Sequence, residues 1–122
     1  MNKTILLVDD SATSRMKSRM LFGDKAHYQF ISACDGQEGL EMALERKPDL
    51  ILMDVEMPRM SGIETCQALR KNASTRRIPI ILLTMRSEES IVKQGIDSGC
   101  TEYMVKPVNE EKLAVVVKKY LG

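Results

Sequence analysis

The sequence predicts an alternating α/β fold built on a five-stranded parallel sheet. Three observations carry this. Short aliphatic runs alternate with longer amphipathic segments along all 122 residues, the pattern of consecutive βαβ units. The runs Ile5-Leu6-Leu7-Val8, Leu50-Ile51-Leu52-Met53 and Ile80-Ile81-Leu82-Leu83 are continuously apolar, as strands covered on both faces must be. Polar residues close each run: Asp9 and Asp10 the first, Asp54 the second and Thr84 the third, while Lys106-Pro107 closes the short segment Tyr103-Met104-Val105.

Strands are expected near 4–8, 28–33, 49–53, 78–83 and 102–105. The second, Tyr28-Gln29-Phe30-Ile31-Ser32-Ala33, is mixed in polarity and suits a sheet edge. Between the strands lie five helices. Ser11 is an N-cap for the first, which carries Ala12, Met16 and Met20 on one stripe and stops at Gly23. Asp35-Gly36 opens the second, with Leu40, Ala43 and Leu44 facing inward and Pro48 past its end. Ser61 caps the third, whose apolar face is Ile63, Cys66, Ala68 and Leu69. Ser87 starts the fourth, followed by Glu88 and Glu89 at the positive end of the helix dipole. Asn109 caps the fifth, which carries Leu113, Val116, Val117 and Tyr120. To cover both faces of a doubly wound sheet the chain must reverse once. The flavodoxin-like (βα)5 order 2-1-3-4-5 does so between the first and third strands, the two that carry Asp9-Asp10 and Asp54.

Composition narrows the function classes. The chain is 43% hydrophobic with no Trp and nine Met, so its core is aliphatic with methionine filling gaps. A net charge of +1 gives no overall attraction to nucleic acid or membrane. Arg70, Lys71, Arg76 and Arg77 cluster at a helix end and read as a solvated rim rather than a docking patch. The three cysteines, Cys34, Cys66 and Cys100, have no metal-type spacing and read as reduced thiols of a cytoplasmic protein. No signal peptide and no membrane span is expected.

If the runs are parallel strands, Asp9, Asp10, Asp54, Thr84 and Lys106 meet at one sheet edge, where such folds bind ligands. Three carboxylates in one pocket repel unless neutralised. Mg²⁺, a hard cation that takes carboxylate and phosphate oxygens together with water, is the natural occupant. Asp54 would then serve as a nucleophile toward phosphorus and form an acyl phosphate. Lys106 would neutralise phosphoryl oxygens as a point charge, and the Thr84 hydroxyl would donate to the same group.

These residues stand in four longer segments: Ile5-Leu6-Leu7-Val8-Asp9-Asp10-Ser11, Leu52-Met53-Asp54-Val55-Glu56-Met57-Pro58-Arg59-Met60-Ser61-Gly62, Pro79-Ile80-Ile81-Leu82-Leu83-Thr84 and Gly99-Cys100-Thr101-Glu102-Tyr103-Met104-Val105-Lys106-Pro107. Together they resemble the receiver domains of two-component response regulators, the stand-alone chemotaxis type among them, with one such domain over residues 1–122. The resemblance implies that Asp54 accepts phosphate from a sensor histidine kinase or phosphotransfer protein. Asp10 and Asp54, assisted by Asp9 and the Glu56 backbone carbonyl, would ligate Mg²⁺. Thr84 would turn to the phosphoryl group, Tyr103 would follow it inward, and Lys106 would pair with the phosphate next to a cis Lys106-Pro107 bond. Output would pass through the face made by the fourth helix, fifth strand and fifth helix to protein partners, with no direct nucleic-acid contact and no enzymatic domain. Such a chain is a switch rather than an enzyme, limited to its own phosphorylation and slow dephosphorylation.

Two positions, Met85 and Gly95, depart from the family pattern. Met85 stands where a small residue is usual, and either narrows the pocket entrance or points outward. Glu56 and Arg86 each lie two residues past a site residue and are expected to pair across the mouth, tuning access. Gly95 replaces the usual Ala in the fourth helix, as a weak point for movement or as a tolerated surface glycine. A phosphate-independent receiver acting as a binding module is the alternative reading. An aspartyl phosphohydrolase, suggested by an acid two residues after Asp54, is disfavoured by Pro58 and by the lack of a cap insertion.

Overall fold

The computed structural model describes residues 3–22 and 28–122. Its elements run β1 (Lys3–Val8), α1 (Ala12–Met20), β2 (Tyr28–Ala33), α2 (Gly36–Arg46), β3 (Leu50–Asp54), α3 (Gly62–Lys71), β4 (Ile80–Thr84), α4 (Glu89–Asp97), β5 (Glu102–Val105) and α5 (Glu110–Leu121). The strands form one sheet in the order β2-β1-β3-β4-β5, with every adjacent pair parallel. This is the order expected from the pattern of apolar runs.

Every residue of β3 and β4 is buried, which is why these runs do not alternate in polarity. Successive side chains go to opposite faces, and two cores result. Ile5, Leu7, Leu50, Leu52, Ile81 and Leu83 join Leu113, Val116 and Val117 of α5 on one face. Leu6, Val8, Ile51, Met53 and Leu82 join Ala43 of α2 and Cys66 and Leu69 of α3 on the other. The edge strand β2 is only partly buried, as its mixed composition implies.

β4 starts at Ile80 rather than residue 78. The Ile78 N–H turns back to the Thr75 carbonyl at 3.1 Å, and Pro79 has no N–H to give to a ladder. Ser11, Asp35, Ser61 and Asn109 cap α1, α2, α3 and α5 through their side chains. The cap residue of α4 is Glu88 rather than Ser87, and it makes no side-chain cap bond. The expected apolar stripe of α1, Ala12, Met16 and Met20, is exposed rather than packed on the sheet. Met16 and Met20 are 65% and 71% exposed, and the half-buried side is Ser14, Ser18, Leu21 and Phe22. Small hydroxyl residues let the helix approach the sheet, while Leu21 and Phe22 just beyond its end supply the apolar contact. Gly23, the expected stop, lies outside the described residues.

Arg70 is a half-buried tie rather than part of the expected solvated rim. Its Nε donates to the Gly99 carbonyl at 2.8 Å, and its Nη1 donates to the carbonyls of Ile78 at 2.6 Å and Arg76 at 3.1 Å. One guanidinium thus fastens the end of α3 to the turns before β4 and β5. Lys71, Arg76 and Arg77 are exposed. Arg70→Ala strips donors from three carbonyls and is expected to cost about 1–2 kcal/mol. Urea denaturation checks this, and Lys71→Ala, which removes only an exposed charge, is expected to leave stability within about 0.5 kcal/mol.

Candidate functional site

Strand register brings the polar residues together. Val8 pairs with Met53, which sets Asp9 level with Asp54. Asp54 pairs with Leu83 and Thr84 with Val105, so Thr84 and Lys106 follow one step along the same rim. The Lys106 N–H donates to the Thr84 carbonyl at 2.7 Å, and the Lys106–Pro107 peptide bond is cis. Behind Asp54 the chain folds tightly back. A Cβ on Gly62 would lie 2.2 Å from the Asp54 carbonyl oxygen, so the start of α3 can press on the end of β3 only where a glycine stands.

Carboxylate oxygens of Asp9, Asp10 and Asp54 lie within 4.8 Å of one another. Asp9 and Asp54 are buried and Asp10 is exposed, so the cluster opens to water on one side. Lys106 Nζ stands 3.3 Å from Asp54 Oδ1 and 3.9 Å from Asp9 Oδ2. That ammonium supplies charge without a well-aimed hydrogen bond, and Asp54 Oδ1 is a buried oxygen with no hydrogen-bond partner. Asp9 is better held. Its Oδ1 accepts from the Ser11 N–H at 2.9 Å, and its backbone carbonyl accepts from Arg15 Nη1 at 2.6 Å. The charge cluster says nothing of Arg15, whose part is visible only once α1 is folded against β1.

Burial pushes the Asp54 carboxyl up to about 6, against the pull of Lys106 and with a further push from Asp9. Burial likewise raises Asp9, countered by the Ser11 N–H and Lys106. Two buried acids beside one lysine are short of positive charge. The three carboxylates offer a hard, all-oxygen donor set, and the orphaned Asp54 Oδ1 lies within it. These residues fit a divalent cation of the Mg²⁺ type.

Thr84 and Tyr103, the residues expected to move on phosphorylation, form a second layer. The Thr84 hydroxyl is fully buried and donates to Glu56 Oε2 at 2.7 Å, while the Met85 N–H donates to Glu56 Oε1 at 2.8 Å. The expected Glu56–Arg86 pair is therefore absent. Arg86 pairs instead with Glu88 at 3.3 Å, and the buried Thr84 hydroxyl takes the carboxylate because it has no water to use. The Thr84 hydroxyl is accordingly turned toward Glu56. Met85 is 71% exposed, pointing outward, and it lines a cleft of about 540 Å³ with Lys106, Pro107, Ser14 and Lys17.

Tyr103 is half-buried, and its hydroxyl donates to the Arg86 carbonyl at 3.4 Å. Its ring rests on α4. A Cβ on Gly95 would lie 2.4 Å from Tyr103 Cε2 and 2.5 Å from Cδ2. Gly95 is buried, so it is not a surface glycine; the bare backbone there is a seat for the aromatic ring.

The response regulator receiver domain family matches residues 5–118. PilH of Pseudomonas aeruginosa is 36% identical, over 97% of this chain and 97% of its own. The polar-differentiation response regulator DivK of Brucella anthropi is 34% identical, over 100% of this chain and 98% of its own. Among solved structures, the chemotaxis response regulator CheY4 of Vibrio cholerae superposes with a TM-score of 0.86 at 32% identity, covering 99% of this chain and 100% of that one. With an acidic pocket at the switch point of a 2-1-3-4-5 sheet and a family match over nearly its whole length, the chain belongs to the response regulator receiver domains, the phosphoacceptor signalling switches of two-component systems.

Proposed function

We propose that Asp54 is the phosphoacceptor and that residues 1–122 act as one receiver domain. The observation that carries this reading is the partnerless Asp54 Oδ1, set among Asp9, Asp10 and Lys106. A carboxylate oxygen with no hydrogen-bond donor aimed at it keeps its lone pairs for phosphorus. The phosphoryl donor is an N-phosphohistidine of a sensor kinase or phosphotransfer protein. The Asp54 oxygen attacks phosphorus, the P–N bond breaks, and its electron pair returns to the imidazole nitrogen, which takes a proton from solvent. An acyl phosphate and a neutral histidine result. Lys106 sits where charge gathers on the transferred oxygens and neutralises it. Asp9, Asp10, Asp54 and the Glu56 backbone carbonyl would hold Mg²⁺. When bound, the ion neutralises the phosphoryl oxygens and offsets the repulsion among the acids.

The new charge on Asp54 competes for the Thr84 hydroxyl. Once Thr84 turns, space opens for Tyr103, and the α4-β5-α5 face changes shape, a population shift set by one modification. The downstream partner is a protein, with no nucleic acid contacted directly and no membrane insertion; no helix among the described residues is long and apolar enough to cross a membrane. We place the protein in the cytoplasm, where phosphohistidine kinases act and free Cys34, Cys66 and Cys100 persist as thiols. Its chemistry is self-phosphorylation followed by slow hydrolysis by water. The phosphate-independent reading rested on Met85 crowding the pocket, and the outward Met85 side chain gives it little support.

Incubation with Mg²⁺ and acetyl phosphate, read by intact mass, tests the assignment. Wild type is expected to gain one phosphoryl group and Asp54→Ala none. Equal uptake by Asp54→Ala would remove Asp54 from the role, and no uptake by wild type would favour the binding-module reading.

A further inference from the structure

The Glu56 side chain occupies the hydroxyl that a phosphorylated Asp54 requires. Its two oxygens accept from the Thr84 hydroxyl and from the next backbone N–H, that of Met85. A hydroxyl has one proton to donate, so donation to Glu56 excludes donation to a phosphoryl oxygen. The competition is between like chemistries, since a carboxylate and a phosphoryl group both offer paired anionic oxygens. The Arg86 N–H donates to Thr84 Oγ1 at 3.0 Å and fixes the hydroxyl from its other side. Among the described residues no cation pairs with Glu56, because Arg86 is engaged with Glu88. The Glu56 charge is thus held by the Thr84 and Met85 donors, and Thr84, fully buried, has no water to replace the contact.

We propose that Glu56 is a positioning residue that acts as an internal anion: its carboxylate stands in for the phosphoryl group at Thr84 and Met85, and phosphorylation must displace it. The proposal rests on Asp54 being the phosphoacceptor. The device also reaches the reporter ring. Glu56 holds Met85 and Thr84, Arg86 follows them in the chain, and the Arg86 carbonyl receives the Tyr103 hydroxyl. Release of the carboxylate therefore frees both the hydroxyl that must turn and the backbone on which Tyr103 rests.

Beryllofluoride, a phosphoryl mimic, tests this at saturating Mg²⁺, where cation affinity no longer enters. Glu56→Ala is expected to bind it about tenfold more tightly than wild type, the scale of one charge-assisted hydrogen bond. Glu56→Asp keeps the charge but is one methylene shorter, so it is expected to recover most of that gain. In the protein without metal or ligand, the Met85 amide proton is expected to move upfield in Glu56→Ala, read by NMR together with the Thr84 methyl signal. Unchanged or weaker beryllofluoride binding in both variants overturns the proposal, as does an unmoved Met85 amide. A wild-type protein that binds no beryllofluoride overturns the phosphoacceptor assignment instead.

Discussion

Asp54→Asn is expected to raise the stability of the metal-free protein at neutral pH by about 1–3 kcal/mol while ending its phosphorylation. The sign follows from burial. The carboxyl shifts from 3.8 in the free side chain to about 6 in the fold, chiefly through loss of water and despite Lys106. At pH below the lower value both states are protonated and the group contributes nothing. Between the two values the folded state binds more protons than the unfolded one, so stability falls as pH rises. Above about 6 the full penalty stands, because a charge is held where it is poorly solvated. Asparagine carries no such charge. The stability gap between Asp54→Asn and wild type is therefore expected to be small near pH 4 and to widen toward pH 7. Mg²⁺ at neutral pH is expected to close much of it by binding the folded wild type. Denaturant melts at several pH values, with and without Mg²⁺, measure each quantity. A variant less stable than wild type at pH 7, or a gap that ignores pH, would refute the account. If Asp54 is the phosphoacceptor, as proposed, the same desolvation that weakens the fold leaves its Oδ1 open to phosphorus, and the cost belongs to that role.

That coupling explains which parts of the molecule can be read from residues alone. Strand positions, sheet order and the convergence of Asp9, Asp10, Asp54, Thr84 and Lys106 follow from apolar runs ending in polar residues, because parallel strands share one rim. What escapes is the partner of a long polar side chain. Arg70 looks like one charge in a solvated cluster until three carbonyls, from the turns before β4 and β5, surround it. Glu56 and Arg86 look complementary, yet Arg86 finds Glu88 two residues on, and Glu56 finds a buried hydroxyl that outcompetes an exposed ion pair. The stripe of α1 fails for a related reason. Hydrophobicity selects Met16 and Met20, but close approach to the sheet selects Ser14 and Ser18. Gly95 is legible as an unusual residue, but only the packed ring of Tyr103 shows its use.

Gly95→Ala is the second large effect expected, and it acts on Tyr103, the proposed switch residue, rather than on the pocket. An added methyl cannot coexist with the ring where it lies, since the Cβ would sit 2.4 Å from Tyr103 Cε2. Either α4 withdraws or the ring leaves. The ring is the softer element. It is half-buried, and its hydroxyl makes a long 3.4 Å bond to the Arg86 carbonyl, whereas α4 gains about 0.5–1 kcal/mol of helix propensity from alanine. Displaced from its seat, Tyr103 is expected to populate the inward arrangement that accompanies the turned Thr84. Linkage then requires that a ligand favouring that arrangement bind better. Beryllofluoride affinity at saturating Mg²⁺ is expected to rise by about 3–10-fold, a coupling of about 1 kcal/mol. A double-mutant cycle separates this from simple helix stabilisation. With Tyr103 already replaced by alanine there is no ring to dislodge, so Gly95→Ala is expected to stabilise the fold and leave beryllofluoride affinity unchanged. An equal affinity gain in both backgrounds would assign the effect to the helix alone. No gain in either, with Tyr103 ring resonances unmoved, would show that α4 yields instead and that the seat does not set the resting position of the switch.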